Sequence, residues 1–579
     1  MNGPEEDAVE NKRIADILAE IGDLLEIEGA NAFRVRAYQA AARSVRDMSQ
    51  RLADLVDAGE DLSELPAIGE STAEKIVEIV ETETCERLEE LRRRLPRALP
   101  EVVHVEGIGP KKAARLHEEL GIDSVDDLAA AAEAGEVREL EGFGRRSEAK
   151  ILEGIETLRR STGRMLRNEA DEHVESLRRH LESCRSVHRW EVAGSYRRGK
   201  ETVGDLDVLV HAEDRERASE EILAADVIDD VASRGDERIT VHLASGVQVD
   251  VRFFEPEAFG AALLYFTGSK DHNIALRRMA QERDWKLNEY GLFEADRRLA
   301  GADEEAIYRK LDLPWIAPEL REDRGEIEAA RRDELPSLLS LDDIRGDLHA
   351  HTDATDGLQS IDEMAAAARD RGWEYLAITD HSQRVRVAGG LDDEACLAHA
   401  ARIREVDAAH PDIWVLAGIE VDILEHGDLD LAAETLAELD WVVASIHYHR
   451  ELGEQAMTDR IVRAVESGLV HALGHPLGRM LGAREPLRFD TERVFAACAA
   501  SGVCVEIDAQ PERLDLPDTH CRQARQAGAT FVIGTDAHRA DNLDFMAYGV
   551  QVARRGWLGK DDVVNTGSAA ALRRRLGRG

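Results

Sequence analysis

The stretch GSYRRGKETVGDLDVLV, residues 194–210, decides the fold of the middle of the chain. A glycine–serine turn with two arginines leads into an alternating strand that carries Asp205 and Asp207. Because side chains at positions i and i+2 of a strand share a face, both carboxylates are expected to point to one site. Asp250, in VQVDVRFF (247–254), is expected to join them from a neighbouring strand. Clustered carboxylates repel one another unless a cation neutralises them, so the pattern predicts Mg²⁺ or Mn²⁺ bridging to a substrate phosphate.

The turn GSYRR supplies positive groups beside these carboxylates. Its backbone N–H groups, the Ser195 hydroxyl and its arginines can hold a triphosphate. In a two-metal site, one ion activates the attacking oxygen and the other holds the leaving group. Asp-x-Asp alone would leave open a simpler alternative, a half-exposed strand whose acidic side chains lie in water.

Residues 1–160 are predicted to be helical, because apolar residues recur at three- and four-residue spacing. Three glycine turns recur in this part, each before a helical start: LPAIGESTAEKI (65–76), VEGIGPKKAARL (105–116) and LEGFGRRSEAKI (140–151). Free N–H groups at such a start attract a phosphate, independently of base sequence. One such turn could equally be structural, but three resemble helix-hairpin-helix motifs. The residues expected to contact DNA are Gly69, Gly107, Gly109, Lys111, Gly142 and Gly144.

The last third of the chain carries histidines and carboxylates at the ends of predicted strands. Short apolar strands alternate with helical stretches from about residue 345, which favours an α/β barrel. In such barrels, functional groups gather at the carboxyl ends of the strands. Mixed imidazole and carboxylate ligands suit Zn²⁺, Mn²⁺ or Fe²⁺ better than Mg²⁺. The predicted metal ligands are His349, His351, Asp356, His381, Glu420, His447, His475, Asp536 and His538.

Two motifs resemble the family X DNA polymerases, the DNA polymerase beta group. They are the 194–210 stretch and YFTGSKDHN (265–273). The resemblance implies that Asp205, Asp207 and Asp250 bind the metals and that Asp250 accepts the proton of the primer 3′-OH. The nucleotide contacts that it implies are Gly194, Ser195, Arg198 and Gly204 at the triphosphate, Tyr265, Phe266 and Gly268 at the sugar, and Asn273 at the base edge.

The resemblance also raises the question of a lyase activity in the N-terminal helices. In the family, a lysine at the place of Lys75 forms a Schiff base with a 5′-deoxyribose phosphate. A Schiff base requires an amine that is partly deprotonated. Ser71 occupies a position where a second lysine often occurs, so the lyase activity stays open.

The nine strand-end residues resemble the metal cluster of the PHP (polymerase and histidinol phosphatase) domain. The resemblance implies a seven-stranded barrel with up to three ions, Mn²⁺ or Zn²⁺, in which Glu420 bridges two of them. Arg384 and Arg386 in HSQRVRV are expected to hold DNA phosphates, and Glu506 is expected to support a ligand. Together the two halves resemble bacterial and archaeal family X polymerases. The implied work is gap filling with dNTPs on gapped or primed DNA, with 3′→5′ exonuclease, apurinic/apyrimidinic endonuclease and 3′-phosphodiesterase activity.

The expected fold is multidomain, α+β followed by α/β. The expected regions are a helical DNA-binding domain (1–90), a fingers-like helix-hairpin-helix domain (91–160), a nucleotidyltransferase palm (161–255), a thumb-like domain (256–320), a connector (321–344) and the barrel (345–579). Two alternatives remain. In one, the barrel is a phosphatase or phosphoesterase and the polymerase half only binds DNA; in the other, the protein is a non-enzymatic DNA scaffold.

Composition adds constraints on environment. Net charge is −43, with ten lysines against 64 arginines, a balance typical of proteins from salt-loving organisms. Such a charge bears on solubility and encounter rates rather than on fold. The sequence has no long apolar run and no secretion signal, and its six cysteines are dispersed. We therefore expect a cytoplasmic protein without a membrane span. A monomer is expected.

Overall fold

The computed structural model describes residues 11–155 with gaps, and residues 164–577 apart from 483. The chain divides into two compact units between residues 162 and 163. No helix among the described residues is long and apolar enough to cross a membrane.

The first unit is helical, as expected. The amphipathic spacing of Ile14, Ile17, Leu18 and Ile21 buries one face of its first helix. The residues form two apolar cores, one around that face and a second one around Leu116 and Leu128. The described helices are Asn11–Ile27, Glu70–Thr82, Glu86–Arg92, Leu99–Val103, Pro110–Leu120 and Val125–Ala134.

The three glycine turns share one hydrogen-bond pattern. In each turn the amide of the apolar residue before the glycine donates to the carbonyl three residues earlier: Ile68 to Leu65, Ile108 to Val105 and Phe143 to Leu140. The carbonyls of Gly69, Gly109 and Gly144 then accept from amides in the first turn of the following helix. The repeated sequence pattern therefore gives a repeated backbone geometry. Gly107, Gly142 and the side chain of Lys111 lie outside the described residues.

The predicted palm is a five-stranded mixed sheet with the order β2-β4-β7-β6-β5, beside a two-stranded β1-β3 pair. Its strands are β1 (Met165–Leu166), β2 (Arg189–Val192), β3 (Thr202–Val203), β4 (Leu206–His211), β5 (Ile228–Arg234), β6 (Arg238–Leu243) and β7 (Gln248–Phe253). Its helices are Arg167–Ser183, Gly194–Arg197 and Arg215–Leu223.

Asp205 departs from its expected place in a strand. Strand β3 pairs with β1, whereas β4 begins at Leu206 and pairs with β2 and β7. The chain thus changes sheets at Gly204 and Asp205, which leaves Asp205 exposed in the connection. Asp207 does lie in β4, directly opposite Asp250 of the parallel strand β7.

The next region combines helices with a three-stranded antiparallel sheet, β8 (Trp285–Asn288), β9 (Gly291–Glu294) and β10 (Arg297–Ala300). Its helices are Phe259–Thr267, Lys270–Gln281 and Glu304–Lys310. The expected connector, residues 321–344, packs into the apolar core of this region. It contains the helix Glu326–Arg331, and the buried carboxylate of Glu326 lies 2.6 Å from Nδ1 of His272.

The C-terminal region is a barrel of seven parallel strands in chain order, β11 to β17. A parallel bridge between Ala350 and Ala537 brings the last strand back beside the first, and the strands are buried on both faces. The predicted seven-stranded barrel is confirmed. The strands are β11 (Gly346–Ala350), β12 (Tyr375–Ile378), β13 (Trp414–Asp422), β14 (Trp441–Ser445), β15 (Ala472–Leu473), β16 (Cys504–Asp508) and β17 (Phe531–Gly534).

Helices cover the barrel between and after these strands. They are Ile361–Asp370, Asp393–Ala409, Ala433–Ala437, Glu454–Val465, Thr491–Ser501, Asp518–Gln526, Met546–Arg555 and Ala569–Arg575. Short 3-10 turns elsewhere in the chain are Val137–Glu139, Pro318–Leu320, Leu341–Asp343, Arg386–Ala388, Ala540–Phe545, Lys560–Asp562 and Val564–Thr566.

Candidate metal centres in the palm and the barrel

The palm carboxylates lie against a glycine turn. Gly194 has φ +65°, and a Cβ there would lie 3.0 Å from Oδ2 of Asp207. Only glycine combines this backbone conformation with so close an approach. The Ala193 amide also donates to the carbonyl of Asp207. The turn that carries Ser195 is therefore held directly beside the carboxylate, as the sequence pattern predicted.

Arginines balance the charge of these carboxylates. Arg238 donates to both oxygens of Asp250 at 2.7–2.8 Å, and Thr240 adds a 2.7 Å hydrogen bond. Burial acts to raise the pKa of Asp250, but these hydrogen bonds lower it below its ordinary value. Burial, and then the negative charge of Asp205, raise the pKa of Asp207 to about 6. Two oxygens on adjacent strands and a third in the connection form a hard donor set that suits Mg²⁺.

These three carboxylates do not converge on one point. Among the described residues, three or more potential ligand atoms within 4.8 Å of one another occur only in the barrel. Arg252 follows Asp250 by two residues in β7, and its guanidinium lies 3.9 Å from Asp207 and 3.6 Å from Asp250. The palm centre therefore has its ligands side by side rather than around a closed cavity.

The predicted triphosphate arginine is already bonded within the chain. Arg198 donates through Nε to Glu322 at 3.1 Å and through its guanidinium to the carbonyl of Thr267. Gly268, with φ +68°, packs against this guanidinium, because a Cβ there would lie 3.1 Å from it. The motif around Gly268 and the turn around Arg198 thus meet. Gly204 lies in the connection before Asp205.

The residues predicted to contact the sugar and the base lie near one another, and we call Tyr265 and Phe266 the aromatic group. The rings of Tyr265 and Phe266 lie edge to face at 5.1 Å, and Asn273 donates to the carbonyl of Tyr265 at 2.7 Å. The guanidinium of Arg252 lies 4.5 Å from the centre of the Phe266 ring. Arg252 therefore connects the aromatic group to the carboxylates.

Lys75, the predicted lyase residue, lies in the first unit on the helix Glu70–Thr82. Its ammonium donates to the carbonyl of Ser71 at 2.9 Å and to its hydroxyl at 3.2 Å. The serine that departs from the family pattern is thus the direct partner of Lys75.

The nine predicted barrel residues lie together at the carboxyl ends of the strands. They form three overlapping groups of ligand atoms: His351, Asp356, His381 and His538; His349, His351 and Asp536; and His381, Glu420 and His447. His475 joins through Nε2, which lies 2.8 Å from Oε1 of Glu420. Their spatial convergence agrees with the sequence prediction, while their individual roles as ligands stay a prediction.

Several atoms of this cluster are buried without a hydrogen-bond partner. They are Nε2 of His349, Nδ1 of His351 and Nδ1 of His475. Nε2 of His351 lies 3.0 Å from Asp536, and Nδ1 of His381 lies 2.7 Å from Oε2 of Glu420, but neither contact is aligned as a hydrogen bond. Buried polar atoms are normally paired, and an unpaired one costs about 1–3 kcal/mol. Nitrogen and oxygen atoms that converge in this way fit bound metal ions of the Mn²⁺ or Zn²⁺ type.

The electrostatics of the cluster agree with a site that requires cations. Burial, and then the positive charges of His381 and His538, lower the pKa of His351 to about 4, so its ring is neutral and available as a ligand. Burial disfavours a charged His381, but the negative charge of Glu420 raises its pKa to about 10. Without a metal ion, the negative charge of the carboxylates therefore keeps nearby histidines such as His381 protonated. A bound metal ion would supply that positive charge instead.

Further carboxylates orient the histidines. Glu506 accepts from Nδ1 of His349 at 2.7 Å, as expected, and Asp422 lies 3.2 Å from Nδ1 of His447. Such partners fix the ring orientation of metal-binding histidines. Asp422 was not among the residues predicted from the sequence, although it lies two residues after Glu420 and so on the same face of β13. Arg384 and Arg386 line a cleft with Tyr448, and Arg384 pairs with Glu425 at 2.7 Å.

Comparisons with known proteins agree with this architecture. The chain matches the family models for a helix-hairpin-helix domain (residues 9–85), a SAM-like helix-hairpin-helix tandem (99–157), a DNA polymerase beta palm (164–264), a DNA polymerase beta thumb (262–322) and a PHP domain (347–508). The fold and the two centres thus define a DNA polymerase beta-type nucleotidyltransferase fused to a PHP domain.

Full-length and partial relatives support the assignment. The chain is 35% identical over 561 residues to the DNA polymerase/3′-5′ exonuclease PolX of Bacillus subtilis, covering 96% of this chain and 97% of that protein. It therefore belongs to the family X DNA polymerases that carry a PHP domain, and the expected membership is confirmed. A probable phosphatase of Vibrio parahaemolyticus is 27% identical over 41% of this chain and 95% of its own length. One of Shewanella loihica is 30% identical over 34% of this chain and 79% of its own length.

Proposed function

We propose that this chain is a gap-filling DNA polymerase of DNA repair with a metal-dependent 3′→5′ exonuclease in its barrel. The observation that carries the proposal is the presence of two separate centres in one chain. Asp207 lies opposite Asp250 in the palm, and nine ligand-type residues converge in the barrel. The Bacillus subtilis relative, named DNA polymerase/3′-5′ exonuclease PolX, joins the same two activities.

In the palm, Asp205, Asp207 and Asp250 would hold two Mg²⁺ or Mn²⁺ ions, which neutralise charge at the reacting phosphate and lower the pKa of the primer 3′-OH. Asp250 is the proposed proton acceptor, and the hydrogen bonds from Arg238 keep it ionised. The turn at Gly194 and Ser195 would hold the triphosphate through backbone N–H groups, together with Arg198.

The aromatic group would receive the rest of the nucleotide. Tyr265 and Phe266 are proposed to border the sugar, together with Gly268, and Asn273 is proposed to contact the base edge. Because Asn273 donates to the carbonyl of Tyr265, a change at either position is expected to alter nucleotide binding more than turnover.

In the barrel, up to three Mn²⁺ or Zn²⁺ ions would supply an activated water for phosphodiester hydrolysis. The neutral His351 is a ready ligand, and Glu506 orients the ring of His349. Arg384 and Arg386 are proposed to hold the DNA strand. We extend the proposal to apurinic/apyrimidinic endonuclease and 3′-phosphodiesterase activity, since both also hydrolyse phosphate esters.

The first unit is proposed to hold the template. Backbone N–H groups at the starts of the helices after Gly69, Gly109 and Gly144 that are not bonded to the glycine carbonyls would bind backbone phosphates on either side of a gap. Pro110, directly after Gly109, has no N–H to offer. Lys75 is the proposed residue for a 5′-deoxyribose phosphate lyase. We also propose a cytoplasmic protein adapted to high salt, on the basis of its six free cysteines and its net charge of −43. A monomer is proposed without a structural observation behind it.

A phosphatase with an inactive polymerase half is the second candidate, because the Vibrio and Shewanella relatives carry that name. Primer extension on a gapped duplex, measured for the Asp205→Ala and Asp207→Ala variants, separates the two. We expect both variants to lose extension and to retain trimming of 3′ ends, and His349→Ala to show the reverse. Extension that survives in both aspartate variants would reject the polymerase assignment.

A further inference from the structure

Arg513 faces the barrel centre without a hydrogen bond on its guanidinium. It lies in the loop after β16, where its Nε is 3.6 Å from Asp508 and 3.9 Å from Asp536. Both distances exceed hydrogen-bonding range. Within the described part of the chain no closer acceptor for this side chain is present, and 22% of the side chain is exposed. A guanidinium offers five N–H donors in a fixed plane, so these donors are available to a ligand.

The backbone around Arg513 is fixed. Its amide donates to the carbonyl of Gln510 at 2.8 Å, and Asp508 and Asp515 pair across the loop. The side chain of Gln510 donates to the carbonyl of Asp536 at 2.6 Å. The loop is therefore tied to a residue of the metal cluster, and Arg513 shares one cleft with Asp536 and His538. A side chain held in this way is already oriented for a ligand in that cleft.

Two further arginines lie close enough to Arg513 for its charge to affect their pKa values. Burial, and then the charge of Arg513, lower the pKa of Arg450. Burial, and then the charges of Arg450 and Arg513, lower the pKa of Arg484 to about 10. Nε of Arg484 is buried without a hydrogen-bond partner in the described chain. Carboxylates also act on Arg513, among them Asp508 and Asp536. Where metal ions neutralise such carboxylates, the three arginines fit a site for an anion.

The chemistry of arginine indicates which anion. A guanidinium binds phosphate oxygens through paired N–H donors, with a geometry that an ammonium lacks. A metal ion bound to Asp536 would also neutralise the negative charge near Arg513. The guanidinium would then be free to bind the substrate.

We propose that Arg513 binds the scissile phosphodiester of a DNA strand in the barrel. The inference rests on the proposed nuclease. In that hydrolysis, the oxygen of a water molecule bonds to phosphorus and the bond to the 3′ oxygen of the preceding nucleotide breaks. One proton of the water ends on that oxygen. Arg513 donates to a non-bridging oxygen whose negative charge increases during the attack, and keeps its own protons.

The test uses the full chain loaded with Mn²⁺ and the variants Arg513→Ala, Arg513→Lys and Arg539→Ala. Arg539 follows His538 but is paired with Asp541 at 3.0 Å, so it serves as a matched control. The substrates are a 3′-labelled single-stranded oligonucleotide and the p-nitrophenyl ester of thymidine 5′-monophosphate, a diester too small to bind through the glycine turns. A phosphate monoester, p-nitrophenyl phosphate, reports any phosphatase activity.

We expect Arg513→Ala to hydrolyse both diesters about 10²-fold more slowly, Arg513→Lys to recover part of the loss, and Arg539→Ala to stay within about twofold. Bound Mn²⁺, measured by elemental analysis, and primer extension should not change. Millimolar guanidinium should partly restore Arg513→Ala. Calorimetric titration with thymidine 5′-monophosphate should show weaker binding to Arg513→Ala than to Arg539→Ala.

Each other outcome counts against the proposal. Equal diester hydrolysis by wild type and Arg513→Ala would overturn it while leaving the nuclease intact. Loss of bound Mn²⁺ from both Arg513 variants would assign Arg513 to support of Asp536 instead. A selective loss of monoester hydrolysis would assign the pocket to small phosphates. If the wild-type protein cleaves no diester, the proposed nuclease function and this inference fall together.

Discussion

The palm and the barrel solve the same electrostatic problem in different ways. In the palm, the chain supplies its own cations, since Arg238 is hydrogen-bonded to Asp250 and Arg252 lies near both carboxylates. In the barrel, Glu420 is surrounded by histidines, and several ligand atoms are buried without a partner. Arginines therefore offset much of the palm's negative charge before substrate arrives, whereas around Glu420 in the barrel the positive charge comes from histidine protons or metal ions.

The two centres also differ in how many elements build them. The proposed palm ligands come from β4, β7 and the connection before β4, which is one side of a sheet. The proposed barrel ligands lie in or after six of the seven parallel strands, whose carboxyl ends meet at one rim. A site enclosed by many strands is held by the fold itself. A site on the side of a sheet requires the nucleotide and its ions to complete it. The following predictions test this difference.

The largest expected effect is on primer extension in Asp207→Ala. This carboxylate lies beside the glycine turn and opposite Asp250, so its removal takes a ligand from both proposed ions. We expect extension to fall at least about 10³-fold, with trimming of 3′ ends unchanged. Single-turnover extension on a one-nucleotide gap measures it. A parallel loss of trimming would show that the centres are not independent.

The corresponding change in the barrel is Glu420→Gln. Oxygens of Glu420 lie 2.7 Å from His381 and 2.8 Å from His475, so the carboxylate is central to the cluster. We expect trimming to fall about 10²-fold or more and bound Mn²⁺ to decrease, while extension stays within about twofold. Glu405→Gln, on the exposed face of the helix Asp393–Ala409, is the matched control. Full Mn²⁺ content in Glu420→Gln would contradict the bridging role.

Metal ions should stabilise the barrel more than the palm. A ligand that binds only the folded state at about 100 times its Kd adds about 2.7 kcal/mol to the free energy of unfolding. We expect hydrogen exchange of barrel amides to slow by about 100-fold when Mn²⁺ is added, and palm amides to change far less. Treatment with a chelator should reverse the effect. Equal protection of β4 and β13 would remove the distinction between the two centres.

The extent to which these centres could be predicted follows from their geometry. Strand ends on one rim are brought together by the barrel itself, so the histidine cluster could be inferred from strand alternation alone. The same alternation wrongly predicted that Asp205 lies in a strand. The chain leaves β3 after Val203 and enters β4 at Leu206, so Asp205 lies in the connection between them. Asp422 could have been predicted, because it lies two residues after Glu420 and so on the same face of the strand. Arg513 could not, since a loop conformation rather than strand alternation brings it to the cleft.

The expected connector shows a second limit. Residues 321–344 are rich in charge, which is typical of a solvated segment. In the fold, Glu326 is fully buried against His272, and Arg321 pairs with the buried Glu304 at 2.6 Å. Composition does not reveal a buried ion pair, because its partners are distant in sequence and each residue alone is typical of the surface.

The raised pKa of Asp207 predicts a trade between stability and function in the metal-free palm. A carboxyl whose folded-state pKa is raised from 3.8 to about 6 contributes stability at low pH that is lost as the pH rises through 6. We expect Asp207→Asn to be about 1–2 kcal/mol more stable than wild type at pH 7.5 with a chelator present, and equal to it near pH 4. Urea unfolding at both pH values measures the difference. The control variant Asp205→Asn, at an exposed position, should gain less stability at pH 7.5. If Asp207→Asn is as much more stable than wild type at pH 4 as at pH 7.5, titration of Asp207 is not the cause of the gain.

The smallest effect tests whether the two regions are as separate as their centres. Arg555, on a barrel helix, donates to the carbonyl of Arg198 at 2.7 Å and to Glu322 at 3.1 Å. Glu322 in turn accepts from Nε of Arg198, the proposed triphosphate contact. Because small displacements of a binding group weaken its contacts, we expect Arg555→Ala to raise the KM for dNTP about threefold to tenfold, with kcat for extension nearly unchanged. Arg555→Lys, which keeps the charge, should recover part of the loss, and trimming should not change in either variant. A fall in kcat without a change in KM would place the barrel's influence at the carboxylates instead.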